Sequence, residues 1–335
     1  MVKKSIDNFK LEHYRECRLP LVQPYTHRGQ TNRFREVDLI SCSFEGQRFL
    51  TELAPFPGVN VEDLSEAREQ IKKVLDGKVR LVHPLEWHLP SELFGALSPT
   101  FSLLPSVLDA LERMFFHIWL VATNKIDQSS YFKVSPAGLA VLDEACLAQV
   151  QRQYSCGVRR FKVKIGRSKV EQEKIRLAEI AEKFSDISFR FDANQTLSFT
   201  DFVPYLEIVD REKVEFVEEP KDIEKCRKFL PVAIDESQWG RENLLVRAKD
   251  FLIMKAQRLS FSKVIGWLET KQIKADQIVL SSCFDGSIGL MHYMRFAKYF
   301  RLERSPGFGP YHYLERDTDP LRPGDKILAG ERVRI

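Results

Sequence analysis

The sequence predicts an α/β protein: a modified TIM barrel of (β/α)7β type over residues 126–310, preceded by a smaller α+β domain over residues 1–125. Three observations carry this. From Ala137 onward, short apolar strands alternate with helical stretches, which is the rhythm of consecutive βαβ units on a parallel sheet. The units recur every 20 to 30 residues or so, the spacing of a barrel with one helix per strand. No GxGxxG follows the first strand and no GxxxxGK[ST] loop occurs, so a closed barrel is favoured over an open dinucleotide-binding sheet.

The elements follow in order. In the N-terminal part, residues 37–43 and 47–52 read as a strand pair, 55–58 as a turn, and a helix is entered near Asn60. Val61, Leu64, Ala67, Ile71 and Val74 fall three and four apart, which gives one apolar helical face. Residues 103–121 repeat that pattern with bulkier side chains. The barrel strands are expected at 137–142, 159–165, 188–194, 214–220, 232–237, 251–257 and 277–283, with a weaker eighth near 301–305 and helices in every gap.

Composition narrows the function classes. At 335 residues, 44% hydrophobic and 29% charged, the chain is an ordinary globular one with room for a large core. Lys and Arg number 51 against 47 Asp and Glu, a net charge of +4 spread along the chain, so no nucleic-acid partner is expected. No stretch reaches the 18 or so apolar residues of a membrane span. Cys17, Cys42, Cys146, Cys156, Cys226 and Cys283 include no CxxC pair, and the start of the chain is polar; the reading is a reduced, cytoplasmic protein that does not bind membranes. The seven histidines lack HxxxH or HExxH spacing, so any metal is expected to be held by oxygen.

In a parallel barrel the reacting groups sit where the strands end, at the C-terminal face. Asp192 ends the third expected strand, Glu218 and Glu219 the fourth, Asp235 and Glu236 the fifth, and Lys255 the sixth, with Lys162 and Lys164 on the second. Three carboxylates converging on one mouth cannot all stay ionised without a counter-charge, because burial and like charge both disfavour the anions. A hard divalent ion such as Mg²⁺ supplies that charge through oxygen ligands, and pairing with nearby Lys or Arg is the alternative. Lys162 and Lys164 are two apart on a strand and leave the same face. Their proximity is expected to depress their pKa, as a general base requires. Arg160 shares their parity and is a candidate substrate-binding residue.

The ordered series KVK, DAN, EEP, DES and a sixth-strand lysine resembles the enolase superfamily in its muconate-lactonizing branch. Beside it, TELAPFPG at 51–58 resembles a signature of the capping domain of the o-succinylbenzoate synthases, and SSCFDGSIG at 281–289 their seventh-strand serine segment. The resemblance covers almost the whole chain. It implies a capping domain over 1–125, with the C-terminal tail (about 311–335) packing back on it, and a barrel over 126–310 that carries the active site. It also implies Mg²⁺, with Mn²⁺ as a substitute, held by Asp192, Glu218 and Asp235, with Asn194, Glu219 and Glu236 supporting them.

The implied reaction is the syn dehydration of 2-succinyl-6-hydroxy-2,4-cyclohexadiene-1-carboxylate to o-succinylbenzoate in menaquinone biosynthesis, by α-proton abstraction and an enediolate. Lys164 would take the proton and return it to the departing hydroxyl. Lys162 would bind the substrate carboxylate, and Lys255 would face the ring as a cation–π partner. Ser281, Ser282, Ser287 and Gly289 are the candidate binders of the succinyl tail, alongside Arg160. Two features depart from the pattern: ERSPGFGPYHYL at the eighth strand end, and the loop 26–36, where His27, Arg28, Arg33 and Arg35 are placed either to meet a dianionic substrate or simply to be solvated. The competing readings are a racemase of N-succinylamino acids or dipeptide epimerase using Lys164 and Lys255 as opposed acid and base, and a non-catalytic binding protein on the same barrel. The partner is a small carboxylate in the first two, and no residue pattern specifies an oligomeric state.

Overall fold

The computed structural model describes residues 9–27, 30–76, 103–126, 132–133, 135–309, 314–315 and 332–333. The N-terminal domain opens with three antiparallel strands in the order β1 (Phe9–His27), β2 (Gln30–Phe44) and β3 (Gln47–Leu53). The expected pair is β2 with β3. Sequence reading missed β1, because charges and two prolines interrupt its alternation. Among the described strands it pairs with β2 alone, and its register slips between His13 and Arg15 and between Pro20 and Tyr25, as an edge strand tolerates.

Helix α1 (Leu64–Leu75) begins later than expected. Asp63 caps it: its carboxylate accepts from Glu66 N at 2.8 Å, while Glu66 Oε2 accepts from Asp63 N at 2.9 Å. Val61 therefore precedes the helix and is 93% exposed, whereas Ala67, Ile71 and Val74 are buried as the spacing requires. Helix α2 (Pro105–Ala122) is buried along nearly its whole length, with its proline in the first turn where no N–H is missed. A short strand β4 (Phe132–Lys133) pairs antiparallel with β12 (Arg332–Val333) near the chain's end.

The barrel strands are β5 (Gly138–Val141), β6 (Arg160–Lys164), β7 (Ser188–Asp192), β8 (Val214–Glu218), β9 (Val232–Ile234), β10 (Phe251–Met254) and β11 (Ile278–Leu280). They are parallel neighbours in sequence order. Between them lie α3 (Cys146–Ser155), α4 (Val170–Lys183), α5 (Phe199–Leu206), α6 (Ile223–Cys226) and α7 (Phe261–Glu269), and α8 (Ser287–Phe300) follows β11. The expectation of a helix in every gap fails between β9 and β10, where a 3-10 turn (Glu236–Gln238) opens an irregular loop. Gln238 ties that loop together, its side chain accepting from Leu245 N at 2.8 Å and donating to Asn243 O at 3.0 Å.

The eighth element is a bridge, a few residues beyond the expected 301–305. Arg301 caps α8 in the left-handed conformation, so the chain turns before it can extend. Gly307 N then donates to Leu280 O at 2.7 Å and Ser282 N to Gly307 O at 3.2 Å, while Ala137 N donates to Pro306 O at 2.9 Å. Residues 306–307 thus join the last strand to the first edge of the sheet. Beyond them, Leu314 bridges Leu21 of β1 and Glu315 N donates to Pro20 O at 2.9 Å; most of the tail 311–335 lies outside the described residues.

Three apolar clusters hold this together. One packs the outer faces of β5–β9 against α3–α5. A second fuses the N-terminal domain with β10, β11, α7 and α8, where Phe116 of α2 meets Phe261 and Phe296 at 5.8 Å between ring centroids. Each such buried aromatic contributes about 1.5–3 kcal/mol. The third, Phe216, Ala233, Phe251, Ile253 and Val279, plugs the barrel interior and leaves the polar groups gathered at its ends. Among the described residues no helix is long and apolar enough to cross a membrane. All six cysteines are free thiols.

Candidate active site

Strand register places the charged side chains. Lys164 lies opposite Asp192, and Asp192 opposite Glu218, on successive rungs at the C-terminal ends of β6, β7 and β8. Asp235 follows directly on β9 and Lys255 on β10. Lys162 Nζ sits 2.9 Å from Asp192 Oδ2 and 2.8 Å from Glu218 Oε1, and Lys164 Nζ is 3.0 Å from the same Asp192 oxygen. Lys255 Nζ is in close contact with Asp235 Oδ2. Asn194 Nδ2 donates to the other oxygen of Asp192 at 2.8 Å.

The lysines and acids are interleaved, which corrects the expectation of a depressed pKa at Lys162. Burial does disfavour the Lys162 ammonium, but Asp192 and Glu218 outweigh it and raise its pKa. Burial likewise opposes the Asp192 carboxylate, yet Lys162 and Lys164 hold it below the usual carboxylate range. At Lys255 burial is again outweighed, by Asp235 and Glu236, and the ammonium is favoured. Parity in sequence revealed that the lysines share a face and could not reveal which anions share it.

Apart from Asp235, which is fully buried and does not line it, these groups line one cavity with Glu236, Ser281 and Ser282, all named from the sequence. Glu219 does not reach it. Its carboxylate turns back and accepts from Asp235 N at 2.6 Å and from Ser237 Oγ at 2.7 Å, so it clamps the segment that carries Asp235. Ser287 opens α8 outside the lining, and Gly289 sits two residues further on. A Cβ at Gly289 would come within 2.8 Å of Glu52 Oε2 and 2.9 Å of Arg113 Nη1, so its small size serves helix packing against a buried ion-pair network. Arg113 there bonds Asp109 and Asp285, each at 2.7 Å.

Arg160 also lies elsewhere. It shares the lysines' face, but four residues of strand separate it from Lys164, a rise of about 13 Å. It therefore belongs to the opposite end of the barrel, where it meets Glu215 Oε1 at 2.5 Å and Ser305 Oγ at 3.0 Å. In the loop 26–36, the side chains of His27 and Arg28 lie outside the described residues. Arg33 is exposed, and Arg35 is buried, donating to Pro55 O at 2.6 Å, to Phe284 O at 3.2 Å and, closely, to Ala54 O. Arg35 pins the 54–56 turn to the barrel.

Several cavity residues escaped sequence reading: Tyr25, Phe56, Arg167, Trp239, Phe284 and Gly307. Tyr25, Phe56 and Phe284 stack with centroids 4.5–5.7 Å apart and form the roof. Trp239 lies 5.5 Å from Lys255 Nζ. Aromatic residues scattered over distant segments give no motif of their own, although TELAPFPG contains Phe56 and SSCFDGSIG contains Phe284.

Among the described residues no three His, Cys, Asp or Glu side chains already converge on a metal position. The donor set nevertheless fits a hard divalent ion: three carboxylates stand at adjacent strand ends, and Asp235 Oδ1 is buried with no hydrogen-bond partner among the described residues. In the structure Lys162 and Lys255 provide the positive charge at those acids.

Residues 145–273 match the enolase C-terminal domain-like family. The chain is 23% identical to o-succinylbenzoate synthase of Pasteurella multocida (strain Pm70), with 95% of this chain and 93% of that one covered. Among solved structures it resembles o-succinylbenzoate synthase from Thermosynechococcus elongatus BP-1, complexed with Mg in the active site, at a TM-score of 0.68 and 19% identity, covering 92% of this chain and 94% of that one. It also resembles dipeptide epimerase from Enterococcus faecalis V583, complexed with Mg and the dipeptide L-Leu-L-Tyr, at a TM-score of 0.72 and 17% identity, covering 93% and 92%. Strand order and these likenesses agree on the fold: the chain shares the architecture of these solved structures, and its residues 145–273 match the enolase C-terminal domain-like family.

Proposed function

We propose that the protein is an o-succinylbenzoate synthase, a hydro-lyase that removes water from 2-succinyl-6-hydroxy-2,4-cyclohexadiene-1-carboxylate in menaquinone biosynthesis in the cytoplasm. The observation that carries the reading is the alternation Lys162, Asp192, Lys164 and Glu218 at the ends of β6, β7 and β8, with Lys255 and Asp235 across the mouth. The curated relatives that match at this level all bear that synthase name, which supports it.

In this reading Asp192, Glu218 and Asp235 would hold Mg²⁺, with Mn²⁺ as a substitute, and the ion would supply positive charge to stabilise the developing anion. Asn194 orients Asp192, and Glu219 fixes the backbone of Asp235. Lys164 takes the proton α to the carboxylate and delivers it to the departing hydroxyl, so one C–H and one C–O bond break, water leaves and the ring becomes aromatic. Lys162 binds the carboxylate, Lys255 with Trp239 faces the ring, and Ser281 and Ser282 border the tail. The aromatic roof excludes water from the proton transfer.

The second reading, racemisation of an N-acylated amino acid or dipeptide, draws on the equal likeness to a dipeptide epimerase and on Lys164 and Lys255 entering from strands four apart. Purified protein with Mg²⁺ is to be given the cyclohexadiene precursor and, separately, a panel of N-succinylamino acids and dipeptides, with absorbance and optical rotation followed. Product from the precursor at a kcat/KM well above that for any racemisation is expected. Racemisation without dehydration overturns the synthase reading.

A further inference from the structure

We propose that Arg167 is a specificity-determining residue that binds the second carboxylate of a dicarboxylate ligand at the cavity mouth; this rests on the synthase reading for its ligand. Arg167 follows Lys164 by three residues and lines the same cavity as Lys164, Asp192 and Tyr25. Among the described residues its guanidinium makes no hydrogen bond or ion pair, and the residue is exposed at the rim. The lysines deeper in the mouth face Asp192, Glu218 and Asp235, whereas Arg167 has no anionic partner among the described residues.

Its backbone is built to stay in place. Gly166 turns the chain with φ of 72°, and a Cβ there would meet Leu197 Cγ at 2.7 Å and Thr196 Oγ1 at 2.8 Å. Glu173 of α4, itself buried, accepts from Gly166 N, Arg167 N and Ser168 N, each at 2.8 Å, and from Tyr205 Oη at 2.5 Å. One buried carboxylate therefore freezes the three-residue turn that aims Arg167. Such preorganisation lowers the ordering cost of binding, and a planar guanidinium grips a carboxylate with two parallel hydrogen bonds. Across the mouth, Tyr25 lies within electrostatic reach of Arg167, Lys255 and Lys162, which places Arg167 on the same ligand space as the strand-end lysines. A ligand with one carboxylate deep among the lysines and another on a flexible tail spans the two positions.

The test compares o-succinylbenzoate with its tail methyl ester, measured by calorimetry in millimolar Mg²⁺, on wild type, Arg167→Met and Arg167→Lys. Wild type is expected to bind the diacid about 10- to 100-fold more tightly than the ester. Arg167→Met is expected to erase that difference, and Arg167→Lys to restore part of it. In turnover, Arg167→Met is expected to raise KM by a similar factor with kcat within about threefold, because the contact is remote from the reacting bond. Equal affinity of wild type for acid and ester, binding of neither, or an undiminished preference in Arg167→Met overturns the inference. Wild type that fails to dehydrate the precursor yet keeps an Arg167-dependent diacid preference overturns the synthase reading alone.

Discussion

The two ends of the barrel interior carry ion-pair clusters on the same strands, and the two are chemically opposite. At the N-terminal end, Glu215 lies between Arg190 at 2.8 Å and Arg160 at 2.5 Å, and Arg190 Nη1 donates to Ser305 O at 2.7 Å. At the C-terminal end, lysines alternate with Asp192, Glu218 and Asp235. Arginine cannot release its proton and fixes its partners through a rigid fork, so the lower cluster tethers the last segment of the barrel to β6, β7 and β8. Lysine is a compact charge that can exchange a proton, and at the upper end three lysines meet three acids. The same strands thus hold a fastener at one end and a reactive set at the other.

That contrast is most exposed to Lys164. Lys164→Ala is expected to lower dehydration by at least 10²–10⁴-fold while the melting temperature stays within a few degrees, as a base used twice demands. Lys255→Arg is expected to keep slow product formation, because charge survives there. If it is as dead as Lys164→Ala while wild type inverts N-succinylamino acids, the upper cluster works as a two-base racemase.

Next are the acids. Asp192→Asn, Glu218→Gln and Asp235→Asn are each expected to lose divalent-ion affinity and turnover, and exhaustive chelation is expected to stop wild type. Glu219→Gln is expected to cost about 10- to 100-fold in metal affinity, through the clamp on Asp235. Full activity after chelation would remove the metal from the upper cluster altogether.

The lower cluster is expected to answer in stability. Glu215→Gln leaves two arginines facing each other and is expected to lose about 3–5 kcal/mol in denaturant titration. The kcat of the remaining folded protein is expected to be unchanged; a fall in kcat at constant stability would show that the two ends are not separate.

A smaller effect comes from a buried carboxylate outside both clusters. Glu112 of α2 accepts from Ser262 Oγ at 2.6 Å at the start of α7, and burial pushes its pKa up to about 8 from the ordinary 4.5. The folded form therefore holds a proton that the unfolded chain releases between those pH values. Stability is lost as pH rises through that window, and the loss is complete above about 8. Glu112→Gln is expected to be relatively more stable by a few kcal/mol at pH 9 than at pH 5. A pH-independent difference in melts across that range would refute the neutral carboxyl.

Much of this was written along the chain. The seven barrel strands followed from short apolar runs between helical stretches, and the acids Asp192, Glu218 and Asp235 from their place at the strand ends. Strand periodicity has two values only, so it told inside from outside for Lys162, Lys164 and Arg160 alike. It gave no height along the barrel, which is why Arg160 lies in the lower cluster. Nor could it show that α1 waits for the Asp63 cap, that β1 is an edge strand broken by prolines, or that 236–250 turns without a helix.

The sequence by itself determined the fold class, the order of the strands and the identity of the strand-end acids and lysines, because those depend on local pattern and on one-dimensional order. Tertiary structure decided which charges meet. Lys162 is held between two acids from two other strands, Glu219 faces away from the cavity, and Tyr25, Phe56 and Phe284 form one roof from three distant segments. Electrostatic pairing falls off over a few ångströms of space, and no spacing in the chain encodes that distance.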